Sequence, residues 1–319
     1  MSNRATIKQQ SQNGVKSSER TFLNMADSIF HRQNDPFLLQ CQIAQRQLYS
    51  SAKCVALWKS IFTMIFFVLS VVATILDIKL VIAISCLLAV ALVLFNKYAG
   101  ERIMAQKKCA ASTQQYIDVT LFAPIIESSV MEWGEVPSKS DVACAISAYE
   151  DADTSEMKNW YSDYSSLSAE SQIFYCQKEN IRWDYDIHKK FKALQIIVMC
   201  SIGAILLTFF FIVNPSFIKL ICILSWFAPI AEYGYSVYSE VQRSIMLLRD
   251  IDEYSNTIEQ KLSSSNLRFV RQKLIKLQYK VLEKRINGFM IPNWFYKWHK
   301  DRQQSKEDSI ARTIQKLNS

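Results

Sequence analysis

The sequence contains few of the residues from which catalytic and metal sites are built. Its six glycines are widely separated, so neither a P-loop nor a GxGxxG turn can be formed. The three histidines, His31, His188 and His299, are isolated, and the eight cysteines form no CxxC pair. We therefore predict no catalytic residue, no metal ion and no resident cofactor, and we interpret the cysteines as reduced thiols.

The first part of the sequence lacks the apolar core of a signal peptide. Residues 1–34 are instead rich in Ser, Asn, Gln and Lys, a composition typical of a flexible tail. We expect membrane insertion to be directed by the first apolar span itself.

Four long stretches of the sequence carry no charge, at residues 61–76, 80–95, 193–213 and 220–231. Because a bilayer core of roughly 30 Å needs about 20 apolar helical residues, only the third stretch is long enough unaided and the others must extend into their flanks. Trp58, Tyr98 and Tyr233 lie where interfacial aromatics are expected. Buried helices of a large soluble core are the alternative, but two closely spaced pairs of apolar runs disfavour it.

The charged residues indicate the orientation of these spans. The linkers within the two pairs, 77–79 and 214–219, allow only tight reversals. Basic residues crowd the other ends of the spans, which places those ends in the cytoplasm. The predicted fold is an all-α integral membrane protein of the inner membrane, with four transmembrane helices as two hairpins, a helical cytoplasmic domain and both termini inside.

This topology divides the chain into five segments. Asp35-Pro36 is a good helix start, and Asn266 can cap a C-terminal helix whose apolar residues alternate every three and four positions from Leu267 to Val281. That helix fits either a helical hairpin with the preceding one or a coiled coil between subunits. The segments are a tail (1–34), a helix plus the first transmembrane hairpin (35–96), a helical insertion (97–192), the second transmembrane hairpin (193–238), and a helical hairpin with the C-terminal segment (239–319).

Polar residues within the spans recur on single helix faces. One interpretation is a hydrated path between helices with Glu232 near its cytoplasmic mouth, and the other is that the hydroxyls mediate helix packing and Glu232 lies at the interface. Four helices cannot enclose a water-filled pore alone, so a pore requires a homo-oligomer. The pore-lining candidates are Thr63, Ser70, Thr74, Ser201, Thr208, Ser225 and Glu232.

Four strings outside the spans together resemble one family. They are AQRQLYSSAK (44–53), NWYSD (159–163), CQKENIRWDYDIHKKF (176–191) and IPNWFYKW (291–298). The resemblance is to the SMODS-associated four-transmembrane effector family of bacterial CBASS anti-phage systems. It implies a membrane effector that binds a cyclic oligonucleotide made by a companion nucleotidyltransferase, permeabilises the inner membrane and causes abortive infection.

An anionic ligand of this kind needs cations and aromatic stacking surfaces on the cytoplasmic side. The alternative is that such residues near a membrane are interfacial anchors. The same ambiguity applies to residues 291–298, which suit an interfacial amphipathic helix or a clasp packed beneath the bundle. The candidate ligand contacts are Arg46, Tyr49, Lys53, Trp160, Tyr161, Arg182, Trp183 and Tyr185.

Two other functions are compatible with the same spans. One is an ion channel or transporter gated by another signal, and the other is a non-conducting membrane scaffold that recruits a partner through its helical domain. The expected partners are the lipid bilayer, the nucleotidyltransferase that supplies the ligand and further copies of the chain, with no DNA or RNA.

Overall fold

The computed structural model describes residues 28–75, 79–147, 149, 153–213, 217–263 and 266–318. These residues form helices and turns and contain no strand, as the all-α prediction requires. The helices are α1 (Ile29–Arg32), α2 (Pro36–Ile75), α3 (Lys79–Phe122), α4 (Lys139–Ser147), α5 (Ala169–Val213), α6 (Phe217–Glu259), α7 (Leu267–Asn287) and α8 (Asn293–Asn318), with short 3₁₀ turns at Ala123–Ile126, Val130–Trp133 and Ser155–Met157.

The helices α2, α3, α5 and α6 are each 40 to 45 residues long. At 1.5 Å per residue each spans about 60 Å, roughly twice the thickness of a bilayer core. Each therefore combines an apolar half with a half that belongs to a polar domain. The start of α2 follows the sequence prediction, because the Asp35 carboxylate accepts from the Phe37 and Leu38 backbone N–H groups at 2.9 and 3.3 Å.

The long helices pack in sequential pairs, α2 with α3 and α5 with α6. The C-terminal helix α7 packs against α3, α5 and α6, and α8 packs against α5. Of the predicted reversals at 77–79 and 214–219, residues 77–78 and 214–216 lie outside the described residues, whereas Lys79 begins α3 and residues 217–219 belong to the first turn of α6.

Large apolar side chains cover the outside of the apolar halves. Leu57, Val93 and Phe211 are 59%, 68% and 77% exposed, a surface that soluble proteins avoid. Within the described residues, the stretch Ala169–Ile212 of α5 is long and apolar enough to cross a membrane by length and composition, and none of its apolar window is buried.

The polar domain has a far end and a near end relative to the apolar halves. The far end, around Phe122, Trp133 and Phe174, holds the large buried apolar cluster of the domain. The near end has a smaller cluster formed by Ile187, Phe191, Val241, Ile291 and Phe295. Among the described side chains, buried apolar packing is therefore concentrated away from the apolar halves of the long helices.

The polar domain begins before the predicted boundary at residue 35. Ser28, Ile29 and Gln33 are buried, and the Gln33 side chain bonds the Tyr161 backbone in both directions, accepting from its N–H at 2.6 Å and donating to its carbonyl at 3.0 Å. Residues 28–34 are thus folded onto the domain instead of belonging to a flexible tail. Local composition did not indicate this because the partner lies 128 residues away.

The apolar stripe of α7 is used within the chain. Asn266 caps the helix by accepting from the Phe269 N–H at 3.1 Å, as predicted. Val270, Leu274 and Leu277 are almost fully buried against the same protomer. The stripe is therefore occupied by intramolecular packing, which favours the helical hairpin over a coiled coil between subunits.

Candidate functional site between the helix pairs

The first helix pair meets the C-terminal helices through polar side chains centred on Asp118. This buried carboxylate, which is 2% exposed, accepts from the Tyr161 hydroxyl at 2.6 Å, Gln278 Nε2 at 2.8 Å and Arg285 Nη1 at 2.7 Å. Gln278 Nε2 also donates to Gln115 Oε1 at 2.9 Å. We call this interface between α3 and α7 the polar seam.

At the near end of the seam, α7 ends in a turn that is tied to three long helices. Lys107 of α3 donates to the Gly288 carbonyl, and His188 Nε2 of α5 lies 3.2 Å from the Phe289 carbonyl. Ser244 Oγ of α6 accepts from the Phe289 N–H at 2.6 Å. Because the last carbonyls of a helix lack intrahelical partners, Lys107 completes the end of α7 at the cap residue Gly288. His188 and Ser244 hold the next residue, Phe289.

The fourth long helix, α2, contacts the same turn at the start of α8. Lys53 Nζ donates to Asn293 Oδ1 at 2.8 Å, and Asn293 Nδ2 donates to Ser50 Oγ at 2.9 Å. Residues 288–293, the capping turn, therefore contact all four long helices. The turn is also tight, since a Cβ on Gly288 would lie 2.7 Å from the Lys284 carbonyl oxygen.

Two of the four cations at the near end, half-buried Lys53 and buried Lys107, lack an ion-pair partner among the described residues. Lys284 pairs with Asp184, and Arg285 pairs with Asp118. Lys53 and Lys107 have no carboxylate at ion-pair distance among the described residues. Burial lowers the pKa of each of these two lysines to about 8.

His188 joins the capping turn to α5 as a neutral side chain. Its Nδ1 lies 2.6 Å from the Asp184 carbonyl, and burial lowers the pKa of the imidazole to about 4. A neutral imidazole has only one N–H donor, so it can bond either the Asp184 or the Phe289 carbonyl at a given moment. The hydrogen bond from His188 to the capping turn can therefore be exchanged for one to the Asp184 carbonyl.

Four of the predicted ligand contacts meet next to the capping turn. The carboxylate of Asp184 lies close enough to influence the pKa of Tyr49, Lys53 and Tyr296, and burial raises the pKa of Tyr296 to about 12.

Two further predicted contacts, Trp183 and Arg46, belong to the same group because each of them acts on Tyr296 of α8. The rings of Trp183 and Tyr296 are 6.0 Å apart, and the positive charge of Arg46 opposes the rise in the Tyr296 pKa. Trp183 is thus linked to Tyr296 by ring contact, Tyr49 and Lys53 to Asp184 by its influence on their pKa values, and Arg46 to Tyr296 in the same way. We call the group Arg46, Tyr49, Lys53, Trp183, Asp184 and Tyr296 the basic junction.

Three other predicted contacts are engaged elsewhere. Arg182 donates from Nε at 3.1 Å and Nη2 at 2.7 Å to Oε2 of Glu307, which is fully buried. Tyr161 belongs to the Asp118 network, and the Tyr185 ring lies under Lys189 Nζ at 5.2 Å. These side chains face partners within the domain instead of the basic junction.

Trp160, the remaining candidate, lines a small cavity beside α2. Gln42 and Gln45 are 3% and 7% exposed, and their carbonyl oxygens have no hydrogen-bond partner among the described residues. A buried acceptor without a donor is costly. The cavity of about 10 Å³ has room for about one water and is lined by Gln42, Gln45, Gln114, Ile117, Asp118 and Trp160.

Comparison with known families identifies the class of protein. The sequence pattern of the SMODS-associating 4TM effector domain matches residues 27–317. The chain belongs to this family. The resemblance predicted from four short strings is thereby confirmed, and the family is associated with CBASS defence and with a SMODS nucleotidyltransferase partner. No curated protein and no solved structure matches the chain.

Three of the seven pore-lining candidates form hydrogen bonds within their own helices. The hydroxyls of Thr63, Ser201 and Thr208 donate to the carbonyls four residues earlier, at 2.8, 2.8 and 2.9 Å. Such hydroxyls need no water to complete their hydrogen bonds. Glu232 is exposed, and the side chains of Ser70, Thr74 and Ser225 lie outside the described part of the structure.

Sequence reasoning missed the residues that complete the seam. Lys284 and Arg285 follow Val281 by three and four positions, where the apolar alternation of α7 calls for another apolar residue, and both are buried. Asp118 likewise interrupts the apolar run around Ile117 and Val119. A charged residue at a position that the apolar periodicity assigns to the core is the sequence signal that would have identified Asp118, Lys284 and Arg285.

Proposed function

We propose that this effector binds a cyclic oligonucleotide at the basic junction, on the cytoplasmic side, and responds by permeabilising the inner membrane as a homo-oligomer. The family match supports the effector role. The observation that carries the ligand site is a pair of lysines, half-buried Lys53 and buried Lys107, that have no carboxylate at ion-pair distance among the described residues. A phosphate diester would supply the missing negative charge.

The proposed contacts lie along one face of α2. From Gln42 to Lys53 this face runs about 16 Å, long enough to reach more than one part of a ligand. Lys53 and Arg46 bind phosphate, and Tyr49 offers a ring for stacking on a base.

A second base can be recognised at the far end of this face. Side-chain amides form paired hydrogen bonds with base edges, and the free carbonyl oxygens of Gln42 and Gln45 accept N–H donors. Trp160, which lines the same cavity, adds an aromatic face. Arg182, Tyr161 and Tyr185 are omitted because their partners within the domain already engage them.

Binding at this position requires the helix pairs to separate. The cavity under Trp160 is far smaller than a nucleotide, so the ligand must widen the space between α2 and the C-terminal helices. Among the described residues, hydrogen bonds through Asn293 join Lys53 and Ser50 to α8. The neutral bond to Ser50 contributes about 0.5–1.5 kcal/mol net and the charged bond from Lys53 about 1.5–3 kcal/mol.

The movement can reach the apolar half of α2 directly. No glycine or proline follows Pro36 in this helix, so a displacement at Lys53 tilts the segment that continues from it. To move a closed-to-open ratio from 99:1 to 1:99, the ligand must prefer the open state by about 10⁴-fold, roughly 5.5 kcal/mol. Several charge-assisted contacts, each about 1.5–3 kcal/mol, are sufficient.

The test is dye release from liposomes that contain the purified full-length protein, after addition of each member of a panel of cyclic di- and trinucleotides. Calorimetric binding is measured on the same preparations. Lys53→Gln and Arg46→Gln should lose binding and release together. Arg249→Gln is the matched control, because Arg249 is an exposed cation paired only with Glu253 on its own helix.

Each outcome assigns a function. Release by one nucleotide that Lys53→Gln abolishes supports the proposal. Binding without release rejects permeabilisation, and the absence of both favours a channel or transporter with another signal, or a scaffold. Equal release by wild type and Lys53→Gln rejects the basic junction as the site.

A further inference from the structure

In the first two turns of α8, Trp294 and Trp298 are exposed whereas Phe295 is buried. Trp294 and Trp298 are 58% and 71% exposed, whereas Phe295 is 2% exposed and packs on Phe191 with ring centroids 5.1 Å apart. Because residues four positions apart share a helix face, the two indoles form one outward-facing surface.

The depth of this surface relative to the apolar halves is fixed by two long helices. On α5, Phe191 precedes the exposed Ile196 by five residues, about 7.5 Å. On α2, Lys53 contacts Asn293 and precedes the exposed Leu57 by four residues, about 6 Å. The headgroup layer on each side of a bilayer core is about 5–8 Å thick. Trp294 and Trp298 therefore lie in that layer when the apolar halves lie in the hydrocarbon.

The side chains around the indoles suit an anionic lipid surface. Lys297 is exposed between them, Lys300 is half-buried one turn further on, and the basic residues Lys189 and Lys190 lie at the same level on α5. A single exposed carboxylate, Asp301, follows on α8 within the first nine residues of the helix. Indoles concentrate at membrane interfaces, and lysines close to the surface are attracted to an anionic leaflet.

We propose that Trp294, Lys297 and Trp298 bind the headgroup layer of anionic phospholipid and so hold the capping turn against the membrane. The surface is assigned to lipid instead of to a second copy of the chain because its depth and its positive charge both match the bilayer. The assignment does not depend on the cyclic nucleotide. It makes the start of α8 a fixed reference against which α2 can move.

The first experiment measures tryptophan fluorescence of the full-length protein in liposomes that carry bromine on phosphatidylglycerol, either near the headgroup or deep in the acyl chains. Wild type should show more quenching by the shallow bromines than Trp294→Tyr/Trp298→Tyr, in which Trp58 remains as an exposed indole near the apolar half of α2. Trp160→Phe is the matched control, since Trp160 lies at the far end beside Gln42, and it should leave shallow quenching unchanged. Equal shallow quenching in wild type and the double variant would overturn the proposal.

The second experiment compares thermal stability in nanodiscs of phosphatidylglycerol and of phosphatidylcholine. Wild type should be more stable in the anionic lipid, and Lys297→Gln should reduce that difference. If inorganic phosphate added to phosphatidylcholine nanodiscs gives the same stabilisation, the site binds a free anion and the lipid assignment is wrong. A smaller oligomer in the double variant, with shallow quenching retained, would instead assign the surface to subunit contact.

Discussion

The far and near ends of the polar domain are held together by different interactions. At the far end Phe122, Trp133 and Phe174 are buried in an apolar cluster, and burying each such side chain contributes about 1.5–3 kcal/mol. At the near end the capping turn is joined to the long helices by hydrogen bonds from Lys107 and His188, among others. Hydrogen bonds can exchange partners with little net cost, whereas a packed apolar cluster cannot. The difference makes the far end a scaffold and the near end the part suited to rearrangement.

The strongest test of this contrast is Asp118→Ala, which removes the link between the two ends. Arg285 is 8% exposed, so the variant leaves a buried guanidinium without its carboxylate. We expect the free energy of unfolding to fall by about 3–5 kcal/mol. Chemical unfolding of the full-length protein in detergent measures this. Glu253→Ala, which removes half of an exposed pair, is the control, and a loss no larger than the control's would show that the seam is not structural.

A matched pair of glycine variants tests the capping turn. Gly288→Ala places a Cβ 2.7 Å from the Lys284 carbonyl, so the turn must shift, and we expect a loss of about 1–3 kcal/mol. Gly100→Ala has nothing within 4 Å of the added Cβ and lies inside α3, where alanine is favoured over glycine by up to about 1 kcal/mol. The two substitutions should therefore shift the melting temperature in opposite directions. A stabilising Gly288→Ala would mean that the turn is not constrained as described.

The near end should also bind its ligand in a pH-dependent way. In the unliganded protein Lys53 has a pKa lowered to about 8 by burial, and a bound phosphate favours the protonated form, so affinity is full below pH 8 and falls as the pH rises above it. We expect about a tenfold loss of affinity between pH 7 and pH 9 for a single lysine.

Calorimetry with the activating nucleotide at the two pH values measures this change. In Lys53→Arg the side chain stays charged throughout this range, so the same comparison should show a smaller loss. A wild-type affinity that is equal at pH 7 and pH 9 would exclude Lys53 as a phosphate contact.

The sequence predicts the helices better than it predicts the near end, for a physical reason. The starts of α2 and α7 follow from local signals, namely Asp35 and Asn266, whose side chains bond backbone groups two or three residues away. The bond from Lys107 to Gly288 joins residues 181 positions apart, and no local pattern encodes it. Charge-free runs and helix caps are properties of single segments, whereas the capping turn exists only after four segments have met.

The same dependence on contacts between distant segments explains why Arg182 does not lie where the sequence predicted a ligand contact. Its neighbours Trp183 and Tyr185 made a ligand contact reasonable from sequence, but the rotation of α5 against α8 points Arg182 at Glu307. Adjacent positions on a helix face directions about 100° apart, so a short motif does not assign all its members to one surface. Trp183, one residue later, reaches Tyr296 instead.

The smallest expected effect concerns Arg46 and Glu156, a pair at the edge of the basic junction. Their side chains are 41% and 68% exposed and 3.1 Å apart, so breaking the pair should change the free energy of unfolding by no more than about 1 kcal/mol. Ligand affinity should respond in opposite directions, because Glu156 competes with phosphate for Arg46. Arg46→Gln should weaken nucleotide binding, whereas Glu156→Gln should strengthen it by up to about fivefold, the equivalent of 1 kcal/mol. Calorimetry on the two variants decides the matter: if Glu156→Gln weakens binding as much as Arg46→Gln does, the pair shapes the site as a unit and Arg46 is not a free phosphate contact.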